Sequence, residues 1–236
     1  MTKAPKTCDM DLRLAVTAAL LSAGIPRDAI RHEITLDSSS SDGRADMVVA
    51  LDRALIGIEL KSGKDTLARL PEQRERYGAR FDRLSLVIDK RHEPTERAAA
   101  YALSFGAVRV FESGAIRPGG ISAQGHLIGS GYAPWEQEPT WHRGHSTRMA
   151  PHAMLSMLWA DEALRLSADL VQAGVIPPSG GGQRYRVIPH AAEHASIGQL
   201  RPRIAAALRA RRLNRWEEAF WTRYDAQAER PERVAA

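Results

Sequence analysis

The sequence predicts an α/β sandwich with a mixed central sheet, followed by a C-terminal helical extension. Three observations carry this. Within the first 115 residues, apolar runs of strand length alternate with stretches of helical period. Two of those runs, Ala45 to Leu51 and Leu55 to Leu60, are joined so tightly that they must be antiparallel neighbours. After residue 150 the helical period continues without a further strand signal. The expected division is a core at 1–115, a Gly- and Pro-rich connection at 116–150 and an Arg-rich helical extension at 151–236.

The apolar run Leu14 to Ile25, behind Lys3 and Lys6, imitates a secretory leader. Asp9, Asp11 and Arg13 interrupt its start, no cleavage pattern precedes a plausible mature start, and the run is too short to span a membrane. A buried helix is the better reading, capped by Asp9 or Asp11 and stopped at Gly24-Ile25-Pro26. A cytoplasmic protein without a membrane partner is expected. A strand at Ile30 to Leu36 and a Ser-rich turn, Asp37 to Gly43, come next. Beyond the paired runs, the pattern predicts a helix from Asp65 to Tyr77, complicated by Pro71. A strand at Leu84 to Ile88, a helix at Pro94 to Phe105 and a strand at Ala107 to Phe111 complete the core. Glu112 to Ala150 reads as irregular, and helices are expected over Pro151 to Gly174 and Tyr185 to Tyr224.

Composition narrows the function classes. With 44% hydrophobic and 26% charged residues, the 236-residue chain is not a mostly disordered one. A single cysteine, Cys8, excludes a disulfide scaffold and a cysteine zinc cluster and fits a reducing compartment. The formal charge is +5, and only five of the 33 basic residues are lysine, so 28 are arginine. That bias suits phosphate and arises equally from genomic base composition.

The stretch richest in chemistry runs from Arg44 to Ser62. A two-residue turn at Arg53-Ala54 would put Asp46 opposite Lys61 and Val48 opposite Glu59. By the period of two, Asp46, Glu59 and Lys61 then share one face, and Ile56, Ile58 and Leu60 the other. Two carboxylates held close repel, and partial burial costs hydration. A hard divalent cation such as Mg²⁺ relieves both, with Lys61 beside a metal-bound water to orient or deprotonate it. The plainer alternative is a salt bridge of Lys61 with Glu59 or Asp46. Both strands are otherwise almost wholly apolar, so charges on them call for a reason.

These residues resemble the PD-(D/E)XK nuclease superfamily of restriction-endonuclease-like α/β/α fold. Asp46 matches its first acidic residue and Glu59-Leu60-Lys61 its (D/E)XK element. Gln73-Arg-Glu-Arg-Tyr77 matches the Gln-x-x-x-Tyr signature of RecB-like members, and spacing four puts Gln73 and Tyr77 on one helical face. The run from Glu59 through Tyr77 to Phe81-Asp82 is similar to a little-characterised bacterial and phage branch. The resemblance covers residues 10 to 112 and is looser around Leu158 to Glu162. It implies a Mg²⁺-dependent deoxyribonuclease, with Mn²⁺ able to substitute, serving phage or bacterial DNA processing, repair or defence. It further implies metal ligation by Asp46, Glu59 and the Leu60 carbonyl, with Glu33 as an added acidic ligand. Gln73 and Tyr77 would touch the DNA strand at the rim. The superfamily's usual proline before the aspartate is absent; Arg44-Ala45 stands there, and Arg44 is instead a candidate phosphate contact.

Among His126, His142, His145 and His152, no ligand set completes a zinc tetrahedron, and loop histidines are expected. Between Gln183 and Arg215 stand eight arginines against one acid, Glu193. A helix through this stretch leaves Arg209, Arg212 and Arg215 on an outer face suited to backbone phosphates. Trp216, Phe220 and Tyr224, at spacing four, are expected to pack against the core or a second subunit, with base stacking as the alternative. DNA is the expected partner, together with a second copy or another protein. The competing function is a DNA-binding module of nuclease fold that is inactive alone and acts with a partner.

Overall fold

The computed structural model describes residues 7–37, 43–92, 107–112, 115–121, 127–128, 149–179 and 181–229. The expected helix at 94–105 and three of the histidines, His126, His142 and His145, lie outside them. Among the described residues no helix is long and apolar enough to cross a membrane.

Seven strands form one sheet in sequence order: β1 (Ile30–Thr35), β2 (Arg44–Leu51), β3 (Ala54–Lys61), β4 (Arg83–Asp89), β5 (Ala107–Glu112), β6 (Ala115–Ile121) and β7 (Leu127–Ile128). The sheet is mixed: β3, β4 and β5 run parallel, and every other neighbouring pair is antiparallel. The β3–β4 pair needs a crossover, which carries helix α2 (Leu70–Gly78). That helix starts five residues later than expected, with Pro71 in its first turn, where the missing N–H costs no hydrogen bond. β6 and β7 occupy a stretch expected to be irregular. Pro118, Gly119 and Gly120 are poor strand formers, yet β6 pairs with β5 along Val108 to Glu112 and meets β7 only at Gly120 and Ile121.

Helix α1 (Asp9–Ser22) is capped by Asp11, whose carboxylate accepts the Cys8 N–H at 2.7 Å, and it ends before Gly24 at φ +83°. Its Leu12, Val16 and Leu20 bury against Met47, Val49, Ile56 and Ile58. The expected long C-terminal helices are broken into α3 (Pro151–Leu155), α4 (Ala160–Gln172), α5 (Arg184–His194), α6 (Ile197–Ala210) and α7 (Arg215–Ala228). Each later break has a cap: the Ser196 hydroxyl accepts the Gln199 N–H, and the Asn214 side chain accepts those of Trp216 and Glu217.

These C-terminal helices are an extension only in sequence. Leu155, Leu166, Leu170, Ile188, Leu200, Ile204 and Leu208 share one core with Val48, Ala50, Leu55, Leu84 and Tyr77. Together with α2 they form the layer opposite α1. Phe220 and Trp221 of α7 join the α1 layer instead; of the expected aromatic face Phe220 is core and Tyr224 half-buried against it, whereas Trp216 is exposed.

Candidate active site

The β2–β3 turn is Asp52-Arg53, with Leu51 opposite Ala54, one residue earlier than the expected Arg53-Ala54. Ala54 is buried while Asp52 and Arg53 are exposed, which suits the polar pair to the turn. Met47 faces Ile58, so Asp46 lies level with Glu59 and not with Lys61. The pairing moved by an even number of positions, which keeps Glu59 and Lys61 on the expected face, but the alternation of β2 breaks at Asp46, since Ala45 joins one core and Met47 the other. In the β1–β2 pairing, Glu33 falls between His32↔Met47 and Ile34↔Ala45, level with Asp46. Glu33, Asp46 and Glu59 thus form one row across three adjacent strands.

The row interrupts the regular ladder. The Leu60 N–H donates to Asp46 Oδ2 at 2.8 Å, and the Asp46 N–H donates to the Tyr77 hydroxyl at 3.2 Å. Side chains therefore take over rungs of the ladder where β2 parts from β3. Glu33 has φ +53°, a left-handed conformation that a residue with a Cβ adopts at a cost of about 1–2 kcal/mol. It also breaks the alternation of β1. His32 packs on Phe220 in the α1 layer, whereas Ile34 joins the opposite core.

Glu59 is 1% exposed and held on both oxygens. Lys61 Nζ donates to Oε1 at 2.5 Å, and the Tyr77 hydroxyl donates to Oε2 at 2.6 Å. The salt bridge foreseen as the plainer alternative is therefore formed. Tyr77 is 1% exposed, which corrects its expected place at a DNA-contacting rim. Its helix lies over the sheet, and Phe81 one turn later crosses β3 where Gly57 has no side chain. Gln73, one turn earlier, is half-buried and leaves Oε1 without a hydrogen-bond partner.

Arg13 is the residue that sequence reasoning missed. Its guanidinium, 2% exposed, donates to Asp9 at 2.5 Å, to Glu33 Oε1 at 2.5 Å and to Asp46 Oδ1 at 3.3 Å, and also to the Asp46 carbonyl. The visible signal was the Asp9-x-x-x-Arg13 pair at helical spacing inside an apolar run. Burial opposes the Arg13 charge, but Asp46, Asp9 and Glu33 more than restore it and raise its pKa. Asp46 keeps 26% of its side chain exposed. Burial and then the charge of Glu59 push its carboxyl well above the usual range. Burial and then Glu59 likewise raise the Tyr77 hydroxyl.

Asp46 and Glu59 repel each other, which a hard cation between them would relieve, and with Asp9 and Glu33 four carboxylates stand against the two buried cations Arg13 and Lys61. The carbonyl of Leu60 lies on the same strand between Glu59 and Lys61. Glu33 does not join them; it is turned onto Arg13 and, at 3.4 Å, onto Arg44. Among the described residues no three Asp, Glu, His or Cys side chains are gathered to hold a metal.

Several tail arginines pair with acids, and of the expected phosphate-binding face this holds for Arg209. Arg209 pairs with Asp28 at 2.9 Å, Arg201 with Asp82, Arg203 with Asp169 and Arg211 with Glu162, each at 2.5 Å. Because α6 ends at Ala210, Arg209, Arg212 and Arg215 do not share a helix, although Arg212 and Arg215 are exposed. Arg44 is exposed too, at 61%.

A protein-family model described as bacteriophage P4 protein cII matches residues 5–98. The matched span is less than half of the chain and contains α1, β1 to β4, α2 and every residue of the acidic row. No curated protein matches, and no solved structure does.

Proposed function

We propose that the chain is a metal-dependent nuclease of the PD-(D/E)XK superfamily that hydrolyses DNA phosphodiester bonds. The observation that carries this is the row itself, with Asp46 level with Glu59 on adjacent strands and Lys61 2.5 Å from Glu59. The order of parts supports it: aspartate strand, Glu-x-Lys strand, then the helix that sends Tyr77 onto Glu59. The likeness to a phage family supports a setting in phage DNA processing.

In this reading Asp46, Glu59 and the Leu60 carbonyl hold Mg²⁺, for which Mn²⁺ substitutes. The bound ion supplies Lewis-acid charge and lowers the pKa of its water. Lys61 orients the attacking water and carries positive charge beside the scissile phosphate. Tyr77 fixes the Glu59 carboxylate, and Arg13 fixes Asp46 and holds Glu33 in reserve at the edge of the row. Arg44, Arg212, Arg215 and Gln73 are the proposed DNA contacts.

A second reading, a DNA-binding module that needs a partner for turnover, is favoured by Arg13. That guanidinium already offsets Asp46 and Glu33. The two separate on labelled linear duplex, single strand, flap and four-way junction, each with Mg²⁺, Mn²⁺ or chelator. Products that need metal and vanish in Asp46→Ala support the nuclease. Salt-sensitive binding without cleavage in any arm supports the module, and equal cleavage by Asp46→Ala removes the site.

A further inference from the structure

Beside the acidic row lies a cleft of about 470 Å³, between β1, β2 and the C-terminal helices. Asp9 and Glu33 line it, and Arg13 bonds both of them and Asp46, so the cleft reaches the Glu33 end of the row and lies one guanidinium from Asp46. Its walls carry two exposed indoles, Trp159 at 48% and Trp216 at 37%. Among the described residues, Tyr185 is the only other large hydrophobic side chain so exposed, and it does not line this cleft.

Both rings are held by fixed neighbours. The Arg211 guanidinium lies 4.6 Å from the centre of the Trp159 ring, and that of Arg13 lies 5.0 Å from the Trp216 ring. Each arginine is itself buried and fixed by carboxylates, Arg211 by Glu162 and Arg13 by Asp9 and Glu33. Trp216 also stacks on Phe220 at 5.7 Å. Exposed aromatic rings that are already immobilised lose little freedom when a flat ligand stacks on them.

We infer that Trp159 and Trp216 are stacking platforms for the unpaired bases of single-stranded DNA, leading the strand toward Asp46 and Glu59. The substrate class rests on the nuclease reading. Every base offers a flat π-face once it is out of a duplex, whereas paired bases hide theirs in the stack. Arg44, exposed at the cleft, is placed to meet a phosphate. The charged lining offers no net positive field, with Asp9, Glu33 and Glu217 against Arg44 and Arg211. Stacking, and not counterion release, therefore supplies the attraction at this subsite.

The test is fluorescence anisotropy of an end-labelled oligothymidylate, and of a hairpin duplex, in chelator. Trp159→Ala and Trp216→Ala should each bind the single strand about ten- to a hundredfold more weakly. Trp159→Phe and Trp216→Phe should bind nearly as wild type, which separates lost stacking from lost folding. Tyr185→Ala should bind as wild type, and the salt dependence should not change in the Trp variants. Unchanged single-strand binding in both alanine variants overturns the cleft, as does an equal loss on the duplex or no binding by wild type. Cleavage that persists beside unchanged binding in the alanine variants removes the cleft and leaves the nuclease. Trp-dependent binding without metal-dependent cleavage removes the nuclease and keeps the cleft.

Discussion

The Tyr77 hydroxyl donates to Glu59 Oε2 at 2.6 Å, from a side chain that is 1% exposed, and so ties helix α2 to the (D/E)XK-like strand. Lys61 holds the other oxygen at 2.5 Å. Tyr77→Phe would leave the buried carboxylate short of one donor, at a cost of about 1–3 kcal/mol. If Glu59 is a ligand, metal affinity or cleavage should also fall about 10- to 100-fold, as for other residues that orient ligands. Urea melts and Mn²⁺ calorimetry on the same variant check both effects.

Asp46 predicts a pH-dependent conflict between stability and function. Burial and Glu59 raise its folded pKa above the unfolded value, so its contribution is present at low pH and lost as pH rises. Asp46→Asn should therefore be more stable than wild type at pH about 8. The gap should close as pH falls toward about 4, the range of an unfolded aspartate. Thermal melts across this range test the sign, and Mg²⁺ should narrow the gap by stabilising only the wild type.

His32 acts in the other direction. It is wholly buried against Phe220, with ring centres 4.1 Å apart, and burial first, then Arg13 and Arg31, lower its pKa to about 3. A depressed folded pKa gives stability that is present above the unfolded value, about 6.5, and lost as pH falls toward 3. His32→Phe should flatten the acid limb of the stability profile, by up to about 1.4 kcal/mol per pH unit. Denaturant midpoints at pH about 7 and about 4.5 measure the difference.

Gly57 is a packing requirement. A Cβ there would come within 2.4 Å of the ring of Phe81, which is wholly buried and stands edge-on to Tyr77 at 5.5 Å. Gly57→Ala must displace Phe81 and should cost about 1–3 kcal/mol. Because the displaced ring supports Tyr77, any cleavage should fall more than stability alone explains. Urea midpoints and rates measured well below the transition separate the two.

The strand pairs and the acidic residues were legible because they depend on neighbours in sequence. Period-two alternation put Asp46, Glu59 and Lys61 on one side, and an even shift of the turn left that intact for Glu59 and Lys61, while the break of β2 at Asp46 was not visible. The register itself, set by which residue closes the turn, was not visible. Nor was the use of the arginines. Arg201, Arg209 and Arg211 meet acids 119, 181 and 49 residues away, so the scarcity of acids nearby misread them as free. Arg13 was hidden in an apolar run for the same reason, since Glu33 and Asp46 lie 20 and 33 residues on. Tyr77 was matched by its motif, but only the fold turns it inward onto Glu59.

The most direct measurement is the Mg²⁺-dependent cleavage rate of end-labelled linear and single-stranded DNA by wild type and Lys61→Ala, purified side by side. The predicted result is metal-dependent cleavage by wild type and a loss of about 10²-fold or more in the variant, with its fold retained. Cleavage by Lys61→Ala at the wild-type rate would contradict the assignment of Asp46, Glu59 and Lys61 as the catalytic row.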